Sequence, residues 1–340
     1  MDAKITRRTL VGGLSAVAAG GFSARPARAQ GAQYVFKVGT DVPEAAPINV
    51  YLRKAIEAIL KETGGRVELK LFPNNQLGGD PAMFSQLRSG ALECFLLSGI
   101  NVLSSMIPKA SIYGLGFVFE NDKTVYDALD GKLGQALRKQ IQDAGFAVTD
   151  KIWANGFRQI TSAEKPIKAV SDLQGFKIRV PVSPMWVSNF RALGASPTTI
   201  PFSEVYTALQ TKVVDGQETP LTLISTAKLY EVQKYCALSD HMWDGWWCIF
   251  HGRAWNALPD DLKQIVSRNL DAAAVEQRVA VAQENEALKQ ELAKQGLIFN
   301  AVDRGQFREK LKTAGYYASW KKTFGDDLWS LLEGYVGPLT

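Results

Sequence analysis

The chain has 340 residues with 46% hydrophobic, 21% charged and 10% aromatic content, an ordinary globular composition with enough apolar mass for one or two cores. Its net charge of +5 is mostly local: five of the 39 Lys and Arg, against one of the 34 acids, lie in the first 29 residues, leaving 34 basic against 33 acidic side chains in the rest. That remainder has no basic stripe of the kind that binds nucleic acid.

Residues 1–29 read as an export leader. Thr6-Arg7-Arg8-Thr9-Leu10-Val11 is a twin-arginine start, Leu10 to Phe22 is a short, weakly apolar segment, and Ala27-Arg28-Ala29 fits a small-x-small cleavage site. The apolar segment is too short to span a membrane. The expectation is a protein exported to the periplasm and beginning at Gln30.

After the leader, Tyr34 to Thr40 alternates as a strand, Val50 to Lys61 has helical periodicity, and Val67 to Phe72 alternates again. Residues 73–80 form a loop rich in turn formers, Pro81 opens a helix through Ser89, and Leu92 to Leu97 is an apolar strand. This β-α-β-loop-α-β order predicts an α/β lobe on a mainly parallel sheet. Val125 to Ala144 reads as one helix stopped by Gly145, and Ala147 to Ala154 as a strand re-entered at Asn155–Ser162.

Phe176, Ile178 and Val180 alternate with Lys177 and Arg179, and Pro181 ends that strand. Arg179 therefore sits at a strand's carboxyl end, where ligands of open α/β sheets collect. It is either a fork for a carboxylate or phosphate, or one half of a structural ion pair. Further on, Val187 to Leu193 is helical, Ser203 can cap a helix through Lys212, Asp215-Gly216 is a turn, and Thr219 before Pro220 reads as a helix cap. Tyr235–Leu238 and Trp246–Phe250 look like paired strands. Residues 260–295 contain no Gly or Pro and predict one helix of ~54 Å at about 1.5 Å per residue, too long for one lobe and suited to brace two. Residues 306–332 are helical, with Tyr316, Tyr317, Trp320, Phe324 and Trp329 available to dock them.

The three cysteines are Cys94, Cys236 and Cys248. Cys236 and Cys248 lie on apolar runs that can face each other, as a disulfide or as buried thiols; a domain of this size needs no staple. No phosphate loop, dinucleotide fingerprint, H-E-x-x-H or C-x-x-C is present, and the only histidines, His241 and His251, lack a nucleophile elbow or further metal ligands. No cofactor or metal is implied. Asp215 and Glu218 could be paired as acid and base, but an Asp-Gly turn with a neighbouring Glu accounts for them.

Several stretches together resemble the substrate-binding proteins of TRAP transporters, the DctP-type family. They are 75–80 (NQLGGD), 90–93 (GALE), 156–162 (GFRQITS), 177–181 (KIRVP), 194–197 (GASP), 201–210 (PFSEVYTALQ) and 214–218 (VDGQE), with 255–259 (WNALP) before the long helix. They occur in order along essentially the whole mature chain. The resemblance implies a two-lobed α/β periplasmic binding fold, with a hinge, a long helix spanning both lobes and a cleft that closes on an organic acid. The lobes are expected at 30–155 plus 245–284 and at 156–244 plus 285–340.

The family's principal carboxylate-binding arginine falls on Arg179 and a second on Arg158, with Asn155 in support. Phe202 matches a pocket-lining aromatic, and Asp41, Asp80 and Ser98 match ligand-facing positions of the first lobe. Thr219 stands where the family usually has Asn, so a hydroxyl replaces an amide there. Ser98 and Asn101 occupy positions that are charged in sialic-acid binders, and the Glu-Trp pair of the keto-acid subgroup is absent. The aromatic stretch 241–247 offers Trp243, Trp246 and Trp247, either to the pocket, with Trp243 as the candidate, or to core packing. The implied protein is a monomeric receptor that hands its acid to membrane permease subunits. An exported hydrolase or lyase using the same cleft is the alternative, since fold alone does not decide function.

Overall fold

The computed structural model describes residues 32–339, so the leader lies outside the described residues. Strands β1 (Tyr34–Gly39) and β2 (Val67–Phe72) flank helix α1 (Pro47–Glu62), and α2 (Asp80–Ser89) leads into β3 (Cys94–Ser98). Two 3-10 turns follow, then α3 (Asp122–Asp130), α4 (Lys132–Asp143), β4 (Phe146–Val148), β5 (Trp153–Phe157) and β6 (Gln159–Ser162). Next come β7 (Lys177–Val180), α5 (Pro184–Ala192), β8 (Ser196–Thr199), α6 (Val205–Gln210), β9 (Gly216–Thr219) and α7 (Leu221–Thr226). The chain ends through β10 (Tyr235–Leu238), β11 (Trp243–His251), α8 (Gly252–Asn256), α9 (Asp260–Lys294), β12 (Ile298–Ala301), α10 (Arg304–Thr313), α11 (Tyr316–Phe324) and α12 (Asp326–Val336).

The strands form two six-stranded sheets, one for each lobe. In the first, β2, β1 and β3 are parallel, and β11 runs antiparallel to β3 on one side and to β4 and β5 on the other. The second is ordered β12-β10-β6-β9-β7-β8, with β7 parallel to both β8 and β9. β3 is buried throughout and β11 at every residue but His251, as apolar runs in a sheet covered on both faces must be.

The chain passes from the first sheet to the second at Arg158, between β5 and β6, and returns through residues 239–242, between β10 and β11. α9 makes the third crossing. Its 35 residues correspond to ~52 Å at about 1.5 Å per residue. It packs on α1 and β5 of the first lobe and on α7 and β12 of the second. Gln277 clamps it to β5, accepting from the Ala154 amide (2.9 Å) and donating to the Ala154 carbonyl (2.7 Å). Arg278 donates to both oxygens of Asp130, at 2.9 and 3.0 Å.

Four local expectations differ from the structure. Residues 125–144 are two helices, because Gly131 is extended between α3 and α4 and a Cβ there would meet the Asp127 carbonyl at 2.4 Å. Ala147–Ala154 holds the end of β4 and the start of β5, separated by the irregular residues 149–152. β10 and β11 do not pair; they belong to different sheets, and their connection is one of the lobe crossings. The tail is three helices, divided at Gly315 and Gly325, both in the left-handed φ region. It docks through the expected aromatics: the Tyr317 hydroxyl donates to the Gly116 carbonyl (2.8 Å) and the Trp320 indole to Ser188 (2.9 Å). Cys236 and Cys248 are likewise in different sheets; all three thiols are free, and the neighbour of Cys248 is Cys94, at 3.6 Å.

Candidate functional site

Between the lobes lies a small cavity lined by Asp41, Asp80, Ser98, Asn101, Asn155, Arg158, Arg179, Phe202, Thr219 and Asp244, with Trp186 and Trp246 as its large aromatic walls. Its volume is about 30 Å³. That is room for about two waters, so the lobes are closed on a tight, polar space. The larger hollows elsewhere include one of about 320 Å³ beside Tyr206 and Glu231 and one of about 560 Å³ beside Phe84 and Val187. Neither collects buried polar atoms without partners, whereas this cavity does.

Arg179 is carried by β7 beside Ile178 and Val180, both fully buried, and is itself 2% exposed. Its Nε donates to the Ile200 carbonyl at 2.8 Å, its guanidinium lies 5.8 Å from the centre of the Phe202 ring, and its Nη1 is buried with no partner. Among the described residues it forms no ion pair, so the structural-pair alternative is not what holds it. Burial pulls its proton affinity down to about 10, and Arg158 adds to this, while Glu218, Asp80 and Asp41 oppose it.

Arg158 is differently employed. At the crossing between β5 and β6 it donates from Nε and Nη2 to both Glu218 carboxylate oxygens, from Nη2 also to the Glu218 carbonyl (2.8 Å), and from Nη1 to Asp244 (3.1 Å). Its backbone amide bonds the Met242 carbonyl of the other crossing segment (2.9 Å). Glu218 also bonds His241 Nε2 (3.0 Å), and His241 Nδ1 contacts Ser239 (2.8 Å). Burial alone would raise the Glu218 pKa; the Arg158 charge and the His241 and Arg158 hydrogen bonds overcome it and hold the carboxyl at about 2. Glu218 is therefore no turn neighbour but the centre of a buried ionic network tying β9 to both crossings.

The first lobe supplies acids. Asp244 accepts from Ser98 Oγ (2.6 Å), Asn155 Nδ2 (3.1 Å), Arg158 and the Gly245 amide (2.8 Å); burial nonetheless raises its pKa. Asp80 opens α2 and accepts from the Asn101 amide, but its Oδ1 is buried without a partner. Burial, only partly offset by Asn101 and Arg179, lifts it to about 6. Asp41, just past β1, also has a buried, unpartnered Oδ1, and burial with the charge of Asp80 pushes its pKa well up. Asn155 Oδ1, the Thr219 hydroxyl and the Trp186 indole nitrogen complete the set of unpartnered atoms in the lining. Thr219 ends β9 and caps no helix; α7 starts after Pro220. Ser203 makes no cap either, because Phe202–Glu204 is a 3-10 turn.

Of the residues singled out in the sequence, Arg179, Arg158, Thr219, Phe202, Asn155, Asp80, Ser98 and Asp41 line this one cavity; Trp243 does not. β11 alternates its faces, so Asp244 and Trp246 reach the cavity while the buried Trp243 donates to Asp122 (3.0 Å) and packs on Tyr113 and Tyr126. Trp247 is also buried outside the lining. Asp244 and the role of His241 escaped the sequence reading; the available signal was a lone carboxylate within an otherwise apolar strand.

Residues 38–322 match the family described as bacterial extracellular solute-binding protein, family 7, known as DctP. The chain belongs to this family. It is 29% identical to the 2,3-diketo-L-gulonate-binding periplasmic protein YiaO of Escherichia coli over 90% of both chains. Among solved structures it resembles the sugar-acid-binding protein DctPAm of Advenella mimigardefordensis in complex with galactonate, at 30% identity and a TM-score of 0.85 over 90% of this chain and 98% of that one. A TRAP periplasmic solute-binding protein of Sulfurospirillum deleyianum with bound succinate matches at 32% identity and a TM-score of 0.83, over 89% and 99%. These relatives are periplasmic receptors of organic acids, and this DctP-family chain is a solute-binding receptor rather than an enzyme.

Proposed function

We propose that this chain is the periplasmic receptor of a TRAP transporter: it captures an organic acid by its carboxylate on Arg179 and delivers it to the membrane permease. One observation carries the assignment to Arg179. It is a fully buried cation, aimed into an interlobe cavity, with a donor that no protein atom accepts. Leaving such a donor unpaired is costly, and a carboxylate is its natural complement. Arg158 contributes through position, fixed by Glu218 and Asp244 beside the bound acid, with Asn155 and Thr219 offering further contacts.

The lobes that close on the ligand are 30–155 with 245–284 and 156–244 with 285–340; the crossings at Arg158 and at residues 239–242 support these limits. Export by the twin-arginine leader and action as a monomer belong to the same reading. Calorimetric titration with the carboxylates bound by relatives, succinate and galactonate first, tests it. Arg179→Ala should weaken the acid that binds by ~2–5 kcal/mol, the range for truncating one member of a buried charge pair. Unchanged affinity would remove Arg179 from the site.

A further inference from the structure

The cavity holds more negative charge than an acid-binding site can use. Asp41, Asp80 and Asp244 line it, and Glu218 stands directly behind, against only Arg158 and Arg179. Arg158 is already committed to Glu218 and Asp244, and His241 faces Glu218 from the crossing segment. Asp41 and Asp80 are left with no cation of their own, and each carries a buried oxygen without a donor. The polar neighbours of the first lobe cannot supply one, and the free donors of the second lobe, the Thr219 hydroxyl, the Trp186 indole and Arg179 Nη1, do not reach these oxygens. Ser98 Oγ and the Asn155 amide already donate to Asp244, and the Asn101 amide donates to the other oxygen of Asp80. Among the described residues no three carboxylate, imidazole or thiol groups come together as ligands of one metal ion, so the excess is spread along the cavity wall.

A simple carboxylate on Arg179 adds another negative charge to this space. Buried charges without partners are strongly disfavoured, so the site must receive a positive group or take up protons. An ammonium provides a full charge and up to three donors; a hydroxyl provides one donor and no charge. Trp186 and Trp246 add aromatic walls to the space, and the Trp186 ring already carries a cation, the Arg158 guanidinium 4.9 Å from its centre.

We infer that the ligand is a zwitterion: its carboxylate meets Arg179 and a cationic nitrogen meets Asp41 and Asp80. This rests on the carboxylate-receptor reading above and narrows its ligand class. Under this arrangement the two aspartates remain ionised when ligand binds. Their raised proton affinities in the empty site mark the charge that the ligand's cation relieves. Binding of an uncharged-tail acid would instead draw protons onto them.

The test is calorimetry at pH 7.5 on the mature protein with amino/hydroxy pairs of equal length: alanine and lactate, serine and glycerate, glutamate and 2-hydroxyglutarate, 4-aminobutyrate and 4-hydroxybutyrate. In at least one pair the amino member should bind tenfold or more tightly than its hydroxy partner. Asp41→Asn and Asp80→Asn, each isosteric, should each cut that preference several-fold, while Arg179→Ala weakens both members. Titration in buffers of different ionisation enthalpy should show little proton uptake. Tighter binding of the hydroxy members, or uptake of about one proton with them, overturns the zwitterion while leaving the receptor reading intact. If hydroxy acids, amino acids, succinate and galactonate all fail to bind the wild type, both readings fall together.

Discussion

Asp80→Asn puts the electrostatic reading of the cavity to a sharp test in the empty protein. Asp80 is 4% exposed, and its carboxyl pKa is lifted from 3.8 to about 6, chiefly by burial. Two units correspond to about 3 kcal/mol at ~1.36 kcal/mol per unit. The sign follows from linkage. The folded state holds the Asp80 proton more tightly than the unfolded chain, so this residue's stability contribution is full below about pH 4. It is lost as pH rises through about 6. Asp41 and Asp244, also raised, push in the same direction, whereas Glu218, held at about 2, titrates well below this window. Asparagine keeps an acceptor for Asn101 and removes the charge. Urea unfolding of the ligand-free protein at pH 4, 6 and 7.5 should show the variant roughly level with wild type at pH 4. At pH 7.5 it should be more stable by about 3 kcal/mol, with a shallower pH slope. If the variant is less stable at pH 7.5, Arg179 already neutralises Asp80, and the charge excess inferred for the cavity does not exist.

Arg158→Ala strands Glu218 and Asp244 in a dry site, so it should cost about 3–5 kcal/mol of folding stability in denaturant titration, the range for breaking a buried pair. A cost below ~1 kcal/mol would mean that water reaches the network. Gly131→Ala tests the break between α3 and α4: the added methyl would meet the Asp127 carbonyl at 2.4 Å and the Tyr335 hydroxyl at 2.5 Å. It should lower stability by about 1–3 kcal/mol, as overpacking does, and a stabilised variant would show that the two helices prefer to join.

Much of the first lobe was legible from periodicity. β1, α1 and β2 fall where alternation and the 3.6-residue repeat put them, and α9 follows from an uninterrupted run between Pro259 and Gly296. These are near-neighbour properties, set by which face of a local element is apolar. The candidate site was legible only through a series of family motifs and a strand ending in Arg179-Val180-Pro181. Nothing local said whether Arg179 was paired. The answer depends on Ile200, Phe202, Asp41 and Asp80, which reach it from separate elements of both lobes.

The sequence by itself determined the α/β class, the long brace, the family and most residues that line the cavity. Tertiary structure decided how they are employed. β10 and β11 look like a hairpin because they are adjacent and apolar, yet each is claimed by a different sheet, and the segment between them becomes a lobe crossing that carries His241. Arg158 meets Glu218 sixty residues away and Asp244 eighty-six residues away, which takes it out of simple ligand capture and into the crossing network. Trp243 and Asp244 are neighbours in the chain, but the pleat sends one to the core and the other to the cavity. Strand pairing and burial are long-range and cooperative. They set which charges lose water and which keep a partner, and with that which of the residues legible in the sequence remain open for a ligand.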